Sequence, residues 1–249
     1  LPLSIIGTAL GTAILPSISR AIERRNEAGA ADIQARAFDL AMLLTLPATL
    51  ALSVTAYPVI AALFQGGRYT VDDAAVTGTI LAILVTGLPA YVLVKVLTPG
   101  FYARKDVKTP VQIAMAILAA SVAANFLLIP FVGIYSLAIV TSVGAWLNFL
   151  LLFAILAARG HFRMPGWLVS RVVRQLLAAA AMGAAPFFLQ RMLGDVFTGG
   201  VGERVIGIGI IVGTGATLYF GIAWVIGGID RDDIKTLLRR SPALDEEAK

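Results

Sequence analysis

The 249-residue sequence is 58% hydrophobic and only 14% charged, whereas soluble domains carry about 25% charged residues. Its formal net charge is +5, but the basic residues form short clusters between long apolar runs, which argues against the continuous basic face of a nucleic-acid-binding protein. The absence of cysteine excludes disulfide frameworks and thiolate chemistry.

Apolar runs long enough for a membrane-spanning helix of about 20 residues recur along the chain. They predict an all-α bundle of seven spans, at residues 1–19, 40–64, 74–102, two within 109–158, 168–190 and 205–229. Residues 129–133 are predicted to form the turn within the pair at 109–158. The sequence starts inside an apolar run without the features of a signal peptide. We therefore expect a truncated first span and a missing N-terminal part.

The distribution of Lys and Arg predicts the orientation. Successive loops alternate between the two sides of the membrane. Sixteen of the twenty Lys and Arg residues lie in the loops of one side or in the C-terminal tail, and three lie in the loops of the other side. The remaining one, Lys95, lies within a span. Because cytoplasmic loops carry the excess of Lys and Arg, residues 104–108 and the C-terminus are predicted to be cytoplasmic and residues 65–73 periplasmic. Residues 230–240 are interpreted either as a surface helix or as a solvated tail.

Small residues and prolines within the spans predict how the helices pack. The pairs Gly7/Gly11 and Gly209/Gly213 have the four-residue spacing that lets membrane helices approach closely. Prolines within or at the ends of spans favour kinks, and they are Pro16, Pro47, Pro58, Pro89, Pro99 and Pro186.

Nothing in the sequence matches a catalytic or cofactor-binding constellation. His161 is the only histidine, so neither a Ser/His/Asp triad nor a multi-histidine metal site can be built. A phosphate-binding loop of the GxxxxGK[ST] type is absent, and the glycines of residues 207–215 lie in an apolar span. Transport without a cofactor is the broad class that the sequence favours.

Four polar residues inside the spans are the candidates for function. Lys95 lies nine residues before Arg104, about 13 Å inside that end of the helix. Its ammonium group is predicted to snorkel to the interface, to face a solvated cavity, or to pair with a carboxylate. Asn125 and Asn148 are predicted to face the helix-hairpin interior and to bind a neighbouring helix. With Thr141 they offer a second interpretation, a weak cation site.

Several blocks of sequence resemble a known family. They are LPLSIIGTALGTAILPSISR at 1–20, LFQGGRYT at 63–70, VKVLTPGFYARKDVKTP at 94–110, and Asn125 and Asn148 in the next two spans. In this order they resemble the MurJ (MviN) lipid II flippases, members of the multidrug/oligosaccharidyl-lipid/polysaccharide exporter superfamily. The resemblance extends to about residue 240 and makes the spans helices eight to fourteen of fourteen.

This resemblance implies a division of the chain and a function. Residues 1–160 would be helices of the C-terminal lobe, 161–229 two additional helices lining a groove for a lipid tail, and 230–249 a cytoplasmic tail. The family moves undecaprenyl-pyrophosphate-linked peptidoglycan precursor, lipid II, across the bacterial inner membrane by alternating access. Lys95, Arg104 and Lys108 become candidates for contact with this substrate, while the main cavity arginines of the family lie outside this sequence.

The resemblance also implies partners and leaves alternatives. Lipid II, membrane lipid and cell-wall synthesis proteins are the expected partners, and neither nucleic acid nor a cofactor is expected. A related exporter of another polyprenyl-linked glycan, or a drug/cation antiporter, would share the helix count. A non-transporting membrane scaffold is a second alternative, and a polyprenyl transferase is disfavoured because the acidic clusters are poorly placed. The driving force is left open among proton, sodium ion and membrane potential.

Overall fold

The computed structural model describes residues 2–64, 66–192 and 201–228. Within these ranges it is helical, apart from turns and one isolated bridge between Gly66 and Tyr69. The helices are α1 (Pro2–Glu23), α2 (Glu27–Phe64), α3 (Val71–Val85), α4 (Leu88–Tyr102), α5 (Lys108–Val132), α6 (Tyr135–Ala158), α7 (Gly166–Met192) and α8 (Val201–Val225). The predicted all-α class is confirmed, and the predicted tail at 230–249 lies outside the described residues.

In the described ranges, the eight helices group into seven segments long enough to span a membrane. Helices α3 and α4 count as one segment, because they follow one another as its two halves. In the described ranges, four segments are both long and apolar enough to cross a membrane, namely Glu27–Phe64, Val71–Tyr102, Lys108–Val132 and Tyr135–Ala158. Helices α1, α7 and α8 contain 22, 27 and 25 residues, and about 20 are needed to cross the hydrocarbon core.

Two predicted boundaries are wrong. Helix α2 begins at Glu27, not near residue 40, because the Asn26 side chain accepts a hydrogen bond from the Gly29 amide at 2.8 Å and caps an alanine-rich first turn. Arg36 therefore lies on the surface of α2 and not in a loop. Helix α5 includes the predicted turn up to Val132, and the chain reverses after it at Gly133, whose φ is +58°.

The third span was predicted as one continuous helix, and the structure breaks it at Thr86 and Gly87. Pro89, in the first turn of α4, has no backbone N–H to donate to the carbonyl of Val85. An interrupted helix leaves backbone carbonyls without their usual partners, and in a membrane these must be satisfied within the protein.

At this break Thr86 donates its own amide and hydroxyl to the carbonyl of Ile83, and side chains of α6 add further donors. The Ser142 hydroxyl donates to the carbonyl of Ile83 at 2.8 Å, and the Trp146 indole donates to that of Thr86 at 3.0 Å. A Cβ on Gly87 would lie 3.0 Å from the Cα of Ser142, so glycine is what allows α6 to approach this closely. An interhelical hydrogen bond of this kind contributes roughly 0.6 to 2 kcal/mol.

Helix α2 lies at the centre of the bundle and packs against α1, α3, α4, α7 and α8. Helix α4 joins this centre to α6, and α5 packs chiefly on α6 at one edge. Four aromatic rings fill the junction: Phe38 of α2 lies 6.0 Å from Phe149 and 6.5 Å from Phe162, which in turn lies 5.8 Å from Phe153. The core therefore joins helices that are far apart in the sequence.

The two glycine pairs behave differently. A Cβ on Gly11 would lie 3.2 Å from the carbonyl oxygen of Lys95, so α1 and α4 do approach closely there. Gly209 and Gly213 are exposed, and a Cβ on either would meet nothing within 4 Å in the described structure. The packing role predicted for this second pair is therefore not observed among the described residues.

Candidate functional site

Lys95 lies in the middle of α4, partly buried, beside Gly11 of α1. Its backbone carbonyl is freed from the helix by Pro99, which has no N–H to donate to it. In the ranges that the structure describes, no hydrogen bond or ion pair involves its ammonium group. Of the three predicted environments, the carboxylate pair is therefore not observed there.

Arg104 is held within the protein. Its side chain is only 13% exposed, its Nη1 donates to the carbonyl of Gly100 at 2.7 Å, and its Nη2 forms an ion pair with Glu27. Its Nε is buried without a partner among the described residues. These contacts join the end of α4 to the start of α2 and leave little of the guanidinium for a substrate.

A second ion pair joins the neighbouring loops. Arg159 donates to the carboxylate of Asp106 at 2.6 Å. The same carboxylate accepts hydrogen bonds from the amide and the hydroxyl of Thr109, at 3.0 and 2.6 Å. The hydroxyl of Thr109 and then the Arg159 guanidinium lower the pKa of Asp106 from 3.8 to about 2. Lys108 begins α5 beside this cluster and is exposed.

His161 lies against the first ion pair, with its Nδ1 3.9 Å from the Glu27 carboxylate. Burial lowers the pKa of His161 below its usual value, the charges of Arg104 and Arg159 lower it further, and Glu27 opposes them. The loops after α1, α4 and α6 thus meet at one end of the bundle, which is the end where the sequence concentrates its basic residues.

The Oδ1 atoms of the two intramembrane asparagines are buried as predicted, but the interhelical hydrogen bonds predicted for these side chains are not observed in the described part of the chain. The Oδ1 atoms of Asn125 and Asn148 are buried and accept no hydrogen bond in the described structure. Hydroxyls that could donate are used within their own helices: Thr141 donates to Leu137 at 2.6 Å and Thr98 to Val94 at 2.7 Å. Both threonines line cavities beside Asn148, so their local engagement removes two potential donors to its amide oxygen.

Asn148 stands between two cavities in the gap that α4, α5 and α6 enclose. One, of about 180 Å³, also reaches Thr98 and Tyr102, and the other, of about 250 Å³, reaches Tyr91 and Thr141. A polar acceptor beside open volume suits a hydrogen-bond donor or a water molecule. The structure thus brings Asn148 and Thr141 to one cavity, whereas Lys95 and Asn125 do not line it.

Sequence reasoning missed one buried cluster, which centres on Asp39 of α2. Its carboxylate accepts hydrogen bonds from Arg171 at 2.7 Å and Gln175 at 2.8 Å, both on α7, and is 2% exposed. Tyr219 of α8 donates to the carbonyl of Leu43, one turn along α2, at 2.9 Å. Two signals in the sequence could have indicated this pair. Asp39 is an acidic residue at the edge of an apolar run, and Arg171 lies within a weakly apolar span.

The comparisons with known proteins agree with this architecture. The family model described as "Lipid II flippase MurJ" matches residues 1–202. The chain belongs to the MurJ family. A probable lipid II flippase MurJ of Rhizobium tropici is 35% identical over all of this chain and 47% of its own length. The lipid II flippase MurJ of Burkholderia cenocepacia is 35% identical over 91% of this chain and 44% of its own length.

A solved MurJ structure supports the same membership at the level of the fold. This lipid II flippase, in an inward closed conformation, superimposes with a TM-score of 0.70 at 22% identity, over 96% of this chain and 45% of that one. The chain therefore spans about half the length of the MurJ relatives and of this structure. Together, the fold and the family membership indicate a multi-pass membrane protein of a transport family.

Proposed function

We propose that the chain is part of a lipid II flippase, in which it helps to move the undecaprenyl-pyrophosphate-linked peptidoglycan precursor from the cytoplasmic to the periplasmic leaflet of the bacterial inner membrane. It would act in transport and not as an enzyme. The observation that carries this proposal is the family match over residues 1–202, with 35% identity to the Rhizobium tropici relative along the whole chain.

The geometry supports transport. The third span is interrupted near its middle, and discontinuous helices of this kind occur at substrate and ion sites in many transporters. Unpartnered polar atoms at Asn125 and Asn148, and the unpaired ammonium of Lys95, lie between apolar helices in the described structure. Polar groups are costly in that setting and are usually retained for function.

We assign different roles to the three basic candidates. Lys95 and Lys108 would contact the anionic head group, because in the described structure neither side chain has an ion-pair partner. Arg104 would position the loops, since Gly100 and Glu27 engage its guanidinium. Asn125, Asn148 and Thr141 would serve as polar contacts between α5, α6 and the cavity beside them.

The proposal also divides and orients the chain. Residues 1–160 would belong to the C-terminal lobe of the transporter, residues 161–229 would form the two additional helices, and residues 230–249 the tail. The C-terminus would face the cytoplasm, as the asymmetry of basic residues favours. Lipid II and bilayer lipid would be the partners, together with proteins of cell-wall synthesis.

Complementation tests the function. The complete gene that encodes the chain is expressed in bacteria whose own lipid II flippase can be depleted, and the amount of protein in the membrane is measured by immunoblot. We expect growth to be restored, together with the accessibility of lipid II to a cleaving enzyme added on the periplasmic side. Normal membrane abundance without either effect would contradict the proposal and would favour the exporter of another substrate.

A further inference from the structure

A polar pocket of about 310 Å³ lies where the end of α1 meets the start of α2. It is separate from the cavities beside Asn148. Arg20, Arg24 and Asn26 line it together with the small residues Ser17, Ala21 and Gly29. Ile33 completes the lining, and the side chains of Arg20, Arg24 and Asn26 are exposed at the edge of this open pocket.

The pocket is lined by hydrogen-bond donors and positive charge. Arg24 follows the last residue of α1, and its amide donates to the carbonyl of Arg20 at 3.2 Å, so the four-residue spacing keeps both side chains on the same side of the helix end. Arg20 donates its Nε to the carbonyl of Pro16 at 3.2 Å, which orients the guanidinium and leaves its terminal nitrogens available. The Asn26 oxygen is occupied by the Gly29 amide at 2.8 Å, so that side chain offers its NH₂ group.

Carboxylates do not compensate this charge within the pocket. No Asp or Glu is among its lining residues in the described structure. Glu27, the next residue after Asn26, forms its ion pair with Arg104 in the turn after α4. A phosphate group accepts several charge-assisted hydrogen bonds, and two guanidinium groups with an amide beside an open volume supply donors of that kind.

We propose that this pocket binds the phosphate group of a lipid at the cytoplasmic surface of the membrane. Ser17 belongs to the apolar span, whereas Arg20 and Arg24 lie one and two turns further along at its polar end, the depth of lipid head groups. Basic pockets between membrane helices on the cytoplasmic side recognise anionic head groups in this way. The phosphate has two sources, the phosphodiester of an anionic phospholipid or, under the proposed function, the pyrophosphate of the polyprenyl carrier.

Binding of defined lipids to the full chain tests the site and separates the sources. The purified chain in detergent is titrated with phosphatidylglycerol, with undecaprenyl pyrophosphate and with phosphatidylcholine, and bound lipid is counted by native mass spectrometry. In the variant R20Q/R24Q we expect at least about a tenfold loss of affinity for phosphatidylglycerol, for undecaprenyl pyrophosphate, or for both, and the affected probe identifies the source. The control K105Q/R163Q removes the same charge from exposed positions outside the pocket and should bind as the unaltered chain does.

A second variant keeps the charge and blocks the volume. Ser17→Leu leaves both arginines in place and fills the pocket, so it should reduce binding as well, and it decides the question if R20Q/R24Q does not fold. Equal loss in R20Q/R24Q and K105Q/R163Q, or unaltered binding by Ser17→Leu, would overturn the proposal, because binding would then follow overall charge and not this pocket. The result is independent of complementation, so failure of the flippase proposal would leave a phospholipid site intact.

Discussion

At the scale of single residues, burial and partners separate two basic side chains that the sequence presents alike. Arg104 ends in an ion pair with Glu27 and a hydrogen bond to the carbonyl of Gly100, and its own side chain is mostly buried. Lys95 lies about 13 Å from Arg104, towards the start of the helix. In the described ranges its ammonium group forms neither an ion pair nor a hydrogen bond. An uncompensated ammonium among apolar helices is costly unless water or an anion reaches it. Lys95 is therefore the residue to test for a direct role in transport.

We predict that Lys95→Met in the complete protein keeps normal membrane abundance and loses complementation, and that Lys95→Arg is at least partly active. The physical reason is that arginine retains the positive charge and methionine retains only the apolar stem. Growth and immunoblotting of the membrane fraction measure the two effects. Lys105→Met, at an exposed loop position, is the matched control. Full activity of Lys95→Met would remove this residue from the mechanism.

At the scale of helices, close approach depends on where the absent Cβ of a glycine would point. A Cβ on Gly78 of α3 would lie 2.9 Å from the Cα of Tyr57 in α2, so backbone would have to move. Gly209 of α8 would meet nothing within 4 Å in the described structure. The two residues look equivalent in sequence, since each lies in an uncharged run of a helix.

We predict opposite effects from the same substitution at these two positions. Gly78→Ala should destabilise the protein by about 1 to 3 kcal/mol, because it forces α2 and α3 apart. Gly209→Ala should be neutral or slightly stabilising, because alanine is the better helix former and has room. Thermal unfolding of the purified protein in detergent, followed by loss of helical circular dichroism, compares them. An equal effect of the two changes would mean that α2 and α3 pack less closely than described.

At the scale of the whole molecule, polar contacts concentrate at one end of the bundle. The pairs Arg104–Glu27 and Arg159–Asp106 join the loops after α1, α4 and α6. The pair Arg171–Asp39 attaches α7 to the central helix α2. These contacts join α7 and the loops of the other helices at the end predicted to face the cytoplasm.

We predict that this end and the α2–α3 turn lie on opposite sides of the membrane. Gly66→Cys and Val107→Cys introduce single thiols at exposed sites in a protein without cysteine. They avoid Gly67, whose φ angle of +58° would strain a new side chain. A membrane-impermeant maleimide added outside spheroplasts should label Gly66→Cys alone.

Buried Phe149→Cys should resist the reagent and serves as the control. Labelling of both exposed sites from the same side would refute the alternating orientation and the cytoplasmic C-terminus with it.

The sequence alone determined the properties that depend on local composition. Apolar runs of span length between charged loops predicted an all-α membrane bundle, because a spanning helix satisfies its own backbone within a single stretch of chain. The blocks at 1–20 and 94–110 carried the resemblance to the MurJ family, and family membership was confirmed by the match over residues 1–202. Lys95, Asn125 and Asn148 stood out because polar residues are rare in such runs.

Only the tertiary structure decided what those residues meet. The break at Thr86 was not predicted, because Pro89 by itself indicated only a kink and the donors on α6 come about 60 residues later. Asp39 finds Arg171 across a separation of 132 residues. Whether a buried amide is paired, or a glycine is crowded, depends on which faces of different helices come together. Local pattern does not encode that pairing, because many helix arrangements bury the same apolar surface equally well.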